Sequence, residues 1–146
     1  MRIIHLGPYV TAALLCENVI EDRDGALSVI RVIDVVNVNI PPGLTRHHLA
    51  SAQMSFTVTM LISLIPGHMR GKKHLSIILT RPSQEQSPSE YALPVVFEGG
   101  DRRVNLVLPI NVQVKEEGLH WFDIQLDGQF ITRIPLTIRF VPVQGG

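Results

Sequence analysis

The stretch Val104-Asn105-Leu106-Val107-Leu108-Pro109-Ile110-Asn111-Val112-Gln113-Val114 decides the fold class. Every even position is aliphatic and most odd positions are polar. Side chains alternate across a β-strand, so this period of two describes a strand with one face buried and one wet. Pro109 falls on the outward parity. A proline has no N–H for a ladder, so the strand is expected at a sheet edge or bulged there. The same alternation recurs through the chain, while helical periodicity is nearly absent.

Working outward, eight strands are expected: Tyr9 to Ile20, Leu27 to Ile40, Ser55 to Ile65, Lys73 to Arg81, Glu90 to Phe97, Arg103 to Val114, Leu119 to Leu126 and Gln129 to Val141. Turn residues separate them, among them Asp24-Gly25, Pro41-Pro42-Gly43, Pro66-Gly67, Gly99-Gly100 and Asp127-Gly128. Pro82 to Ser89 is polar and rich in Pro and Ser, an exposed loop. The one helical candidate is Thr45 to Gln53, docked on the rim. This pattern predicts a single all-β domain over residues 1–146, an antiparallel two-sheet β-sandwich of immunoglobulin-like or C2-like type. If successive strands simply reverse, Glu21–Gly25 shares one end with Pro66–Lys72, Glu98–Arg102 and Asp127-Gly128.

The expected core is Leu14, Cys16, Ile33, Val35, Phe56, Val58, Met60, Ile62, Leu75, Ile77, Leu79, Leu106, Leu108, Ile110, Val112, Phe122, Ile124, Ile134, Leu136 and Ile138. The last hairpin poses a parity problem. A two-residue loop at Asp127-Gly128 would set Phe122 opposite Arg133 and turn Ile134, Leu136, Ile138 and Phe140 to the wrong face. A three-residue loop with a G1 bulge at Gly128 restores them, and is the expectation here.

The chain has 146 residues, 45% of them hydrophobic and 18% charged, with 13 basic and 13 acidic side chains. That composition excludes a disordered chain. The balanced charge offers no basic field for a phosphate backbone, so no nucleic-acid partner is expected. It also gives little colloidal protection, which points to self-association or a standing protein partner. No run of 18 apolar residues is present, so no membrane partner is expected. His5, Gly7 and Pro8 interrupt the apolar start, which reads as a first strand of a cytoplasmic protein rather than a secretion signal. Cys16 is the only cysteine and reads as a buried structural thiol.

The chemistry-bearing residues form no recognised catalytic pattern. His5, His47, His48, His68, His74 and His120 lack metal-ligand spacing and read as solvated loop histidines. Glu21, Asp22 and Asp24 are interrupted by Arg23, and Asp-Gly accounts for a tight turn without calcium. No nucleophile elbow or phosphate cradle is present. No cofactor, metal or catalytic residue is therefore expected, and the chain does not read as an enzyme. Trp121 shares its parity with Asp123 and Gln125. It stands either on the outer face, as an anchor for a partner, or under a covering loop. Arg133 on the facing strand joins it as a possible partner contact.

The final hairpin Gly118 to Ile138, with Cys16-Glu17-Asn18-Val19-Ile20 and Ser28-Val29-Ile30-Arg31-Val32-Ile33-Asp34, resembles a family of short uncharacterised bacterial all-β proteins. The resemblance spans most strands but not the Pro82–Ser89 loop. It implies a small cytoplasmic β-protein and brings no activity or site residue. The functional expectation is a non-enzymatic protein-interaction or assembly module, joined by its partner at a loop end or sheet edge. Two alternatives stand beside it. One is a ligand-binding or hydrolytic domain with a loop-built site. The other is a ubiquitin-like modifier using the terminal Gly145-Gly146, although a β-grasp domain needs a larger helix than this sequence offers.

Overall fold

Two sheets face each other across one aliphatic interior. The computed structural model describes residues 6–41, 54–87 and 92–142. The strands are β1 (Tyr9–Glu21), β2 (Leu27–Val32), β3 (Val35–Ile40), β4 (Ser55–Ile65), β5 (Gly71–Thr80), β6 (Gln86–Ser87), β7 (Ala92–Phe97), β8 (Val104–Gln113), β9 (Gly118–Leu126) and β10 (Gln129–Pro142). One sheet has the order β2-β1-β4-β8. The other has the order β3-β10-β9-β5, with β6 and β7 sharing the far side of β5. The core joins Leu15, Val58, Met60, Ile62 and Leu64 of the first sheet to Leu75, Ile77, Phe97, Phe122, Ile124, Leu136 and Ile138 of the second.

The all-β sandwich expected from the alternation is present, and β4 has the expected limits. The stretch Leu27 to Ile40 is not one strand. It breaks at Ile33-Asp34 and changes sheets. The Ile33 N–H donates to Leu15 O of β1 at 2.8 Å, while Thr137 of β10 donates to Asp34 O at 2.9 Å. Adjacent residues thus fasten the crossing to both sheets. β3 then runs parallel to β10, which corrects the purely antiparallel expectation. This extra reversal also moves the Asp22–Gly25 turn. Cys16 pairs with Thr59 and Ser55 with Gln113, so the turn lies at the end of β1 that faces the start of β4 and the end of β8. A further short strand, β6, lies inside the expected Pro82–Ser89 loop. The helical candidate Thr45–Gln53 falls outside the described residues.

Pro109 sits on β8 as expected, the edge strand of its sheet, opposite Thr59. Two parities in the expected core are reversed. In β1, a register shift between Val10 and Ala12 brings Leu15 opposite Met60 and into the core, in place of Leu14. Cys16 lies on the other parity yet is fully buried. In β3 the inward side chains are Val36 and Val38, not Val35.

The last hairpin solves its parity problem differently from the expectation. Leu126 pairs directly with Gln129, so Asp127-Gly128 is a two-residue turn. Both turn residues have positive φ, 48° and 79°. That is the type I′ geometry, whose twist matches the strands it joins. The register then shifts between Phe130 and Thr132, and Ile134 arrives opposite Phe122. The bulge is needed for the reason inferred from the sequence, but it sits at Ile131 rather than at the turn.

Candidate interaction surface

Polar side chains on a wet sheet face are held only by their cross-strand neighbours. On the outer face of the second sheet, β9 presents Trp121 and Asp123. Arg133 of β10 pairs with Asp123, and Thr80 of β5 pairs with Trp121. The Arg133 Nε–H donates to Asp123 Oδ1 at 3.0 Å. The Thr80 hydroxyl donates to Asp123 Oδ2 at 3.2 Å. Both carboxylate oxygens are thereby engaged, and the Arg133 guanidinium lies over the Trp121 ring, 4.3 Å from its centroid. Trp121 is half-buried beneath it. The expected alternatives for Trp121 resolve into a third: it stands on the outer face, covered by an arginine rather than by a loop.

Phe130, paired with Gln125, and Leu119 lie on the same face and are exposed. β3 pairs with β10 only from Thr137 onward. Among the described residues, no strand pairs with Gln129 to Leu136 on that side. Pro135, without an N–H, falls within this open stretch. At its start lies a cavity of about 290 Å³ between Pro8, Tyr9 and Val10 on one side and Phe130, Ile131 and Leu126 on the other.

The remaining expected features take structural roles. Asp24 Oδ1 accepts from the Ala26 N–H and shapes the β1–β2 turn. His74 is exposed beside Asp127, and His68 is exposed as well. Burial pushes the Cys16 thiol up, against an opposing backbone hydrogen bond at Asn18. His5, His47, His48, Gly145 and Gly146 lie outside the described residues.

His120 departs from the expectation of a solvated loop histidine. It is fully buried, because it shares the inward parity of Phe122 and Ile124. Arg81, just past the end of β5, is also buried. The parity of β9 held the signal for Asp123 and for His120. Thr80 and Arg81 required the β5–β9 register, which no local pattern supplies.

A family of unknown function, DUF6941, matches residues 11–139. The chain belongs to this family. The DUF6941 span opens within β1, closes within β10, and takes in Trp121, Asp123, Arg133, Arg81 and His120. No curated protein matches the chain. Among solved structures, it is similar to an alkylpurine DNA glycosylase, AlkC, of Pseudomonas fluorescens bound to DNA containing an abasic site analog. The identity is 8% and the TM-score 0.42, over 73% of this chain and 27% of that one. It is also similar to an immunoglobulin-like protein of Pseudomonas aeruginosa, at 12% identity and a TM-score of 0.38, over 88% of this chain and 98% of that one. Neither likeness carries a function to this chain.

Proposed function

We propose that this chain is a non-enzymatic protein-interaction module, and that its partner joins along the open first half of β10. The observation that carries this reading is the placement of Arg133. It sits on the open stretch, stacked on Trp121 and fixed by Asp123. Tryptophan and arginine dominate binding hot spots, and a side chain already held in place loses little entropy on binding. An unpaired strand edge adds backbone donors and acceptors at a two-residue period, which an extended segment satisfies by strand addition. The cavity beside Phe130 offers room for one apolar side chain of that segment. Balanced charge favours association with another protein, or a second copy, over a nucleic acid.

The test is selection of displayed random peptides on the folded chain, followed by NMR mapping. Selected peptides are expected to be extended and alternately apolar, and to perturb amides between Gln129 and Leu136. Failure to select any peptide, or perturbations confined to the first sheet, would contradict the proposal. A terminal diglycine modifier finds less support: such modifiers pack a helix across one sheet, whereas here two sheets pack on each other.

A further inference from the structure

Extending the β5–β9 register by one residue beyond Thr80 and Trp121 places Arg81 directly opposite His120. Both follow inward parities, and both are buried, at 2% and 0% exposure. Opposed side chains on neighbouring strands have Cβ atoms about 4.5–5.5 Å apart. The Arg81 Nη1 donates to Ser87 Oγ on β6, while its Nε has no hydrogen-bond partner among the described residues. His120 Nδ1 lies 2.9 Å from Gly118 O. A carbonyl only accepts, so Nδ1 carries the proton and Nε2 keeps a bare lone pair. That Nε2 is likewise without a partner among the described residues.

The carboxylates nearby hydrogen-bond elsewhere, and none among the described residues reaches His120 Nε2, although the Glu116 charge opposes the effect of burial on His120. Glu116, from the β8–β9 connection, accepts from the Ser83 N–H at 2.7 Å. Glu117 accepts from the Phe140 N–H, and Glu85 pairs with Lys115 at 3.1 Å. Opposite His120, β10 offers Leu136. Among the described residues, no carboxylate forms an ion pair with Arg81 or His120. A proton on Nε2 therefore puts a second buried cation beside the first, and an unpaired buried charge is costly. The turn after β5 is closed by its own backbone and held to this end by Ser83 on Glu116 and by Pro82. Gln84 donates to Arg81 O, and Pro82 packs so near Gly118 that an added Cβ there would stand 2.9 Å from Pro82 Cγ.

We propose that Arg81 and His120 form an acid-sensitive latch. In neutral solution it holds the Pro82–Glu85 turn on the sandwich, and on protonation of His120 it lets the turn open. Opening hydrates both cations. Burial, and then the Arg81 charge, hold the imidazole below the ordinary histidine range, against the Gly118 carbonyl and Glu116. A histidine depressed in the folded state contributes stability that is fully present above its unfolded value of about 6.5 and is lost as pH falls toward the folded value.

The test is NMR-detected hydrogen exchange of the Arg81 and Gln84 amides, corrected for intrinsic rates, at about pH 7.5 and about pH 5. Opening is expected to rise at least about tenfold at the lower pH, while the Ile33 amide is unchanged. The midpoint should coincide with titration of the His120 ring, followed in the same samples, and should vanish in His120→Asn. A ring midpoint that differs from the opening midpoint would overturn the latch, and this readout needs no variant to fold. Equal pH dependence in His120→Asn would overturn it as well.

Discussion

The guanidinium of Arg133 lies over Trp121, 4.3 Å from the ring centroid, while Asp123, two residues from Trp121 on β9, holds its Nε. One carboxylate therefore orders a cation and an aromatic ring on an outward sheet face. The Arg133 side chain keeps 45% of its surface exposed, so the cluster is ordered and still available to a partner. Such a stack at an exposed site contributes about 0.5–1 kcal/mol to stability.

A double-mutant cycle of Trp121→Ala and Arg133→Ala is expected to show a coupling of about 0.5–1 kcal/mol in urea unfolding. Coupling indistinguishable from zero would mean that the stacked pair does not persist in solution.

Phe122→Ala is expected to destabilise the fold by about 3–5 kcal/mol, since Phe122 is buried where β5, β9 and β10 meet. Equilibrium unfolding of the single variant measures this. A loss under about 1 kcal/mol would remove Phe122 from the core.

Gly118→Ala is expected to cost about 1–3 kcal/mol. Gly118 has a φ of 123°, and an added Cβ would meet the Pro82 ring at 2.9 Å. Thermal unfolding should show the loss, and Gly25→Ala provides the comparison. Gly25 also has positive φ, but among the described residues nothing stands within 4 Å of an added Cβ, so its loss should be smaller.

Cys16 should resist thiol reagents in the native state. It has no exposed surface, and burial pushes its thiol up, which suppresses the reactive thiolate. Labelling followed across a urea titration should track global unfolding. Fast labelling at zero urea would show that the strand face holding Cys16 opens separately.

Much of this architecture was legible because alternation over a long strand is hard to imitate. β4 and β9 were readable in this way, down to the inward set Val58, Met60, Ile62 and Phe122, Ile124. The break at Ile33-Asp34 was not, since apolar residues continue through it and no glycine or proline marks it. Only the hydrogen bonds to Leu15 and Thr137, one on each sheet, define that crossing. The final hairpin was legible in half. Its sequence exposed the parity conflict, but a bulge at Ile131 and one at Gly128 satisfy the same pattern. At the candidate surface, the outward parity of Trp121 was readable from the sequence, but its stacking under Arg133 was not. Thr80 joined them through non-local register alone.

The central claim is that the face around Trp121 and Arg133 binds a protein partner. The most direct measurement is quantitative affinity capture from the native host, comparing the natural chain with a folded Trp121→Ala, Arg133→Glu variant. The account predicts at least one protein enriched by the natural chain and reduced about tenfold or more by the variant, the equivalent of losing about 1.4 kcal/mol. Identical enrichment by both chains would contradict it.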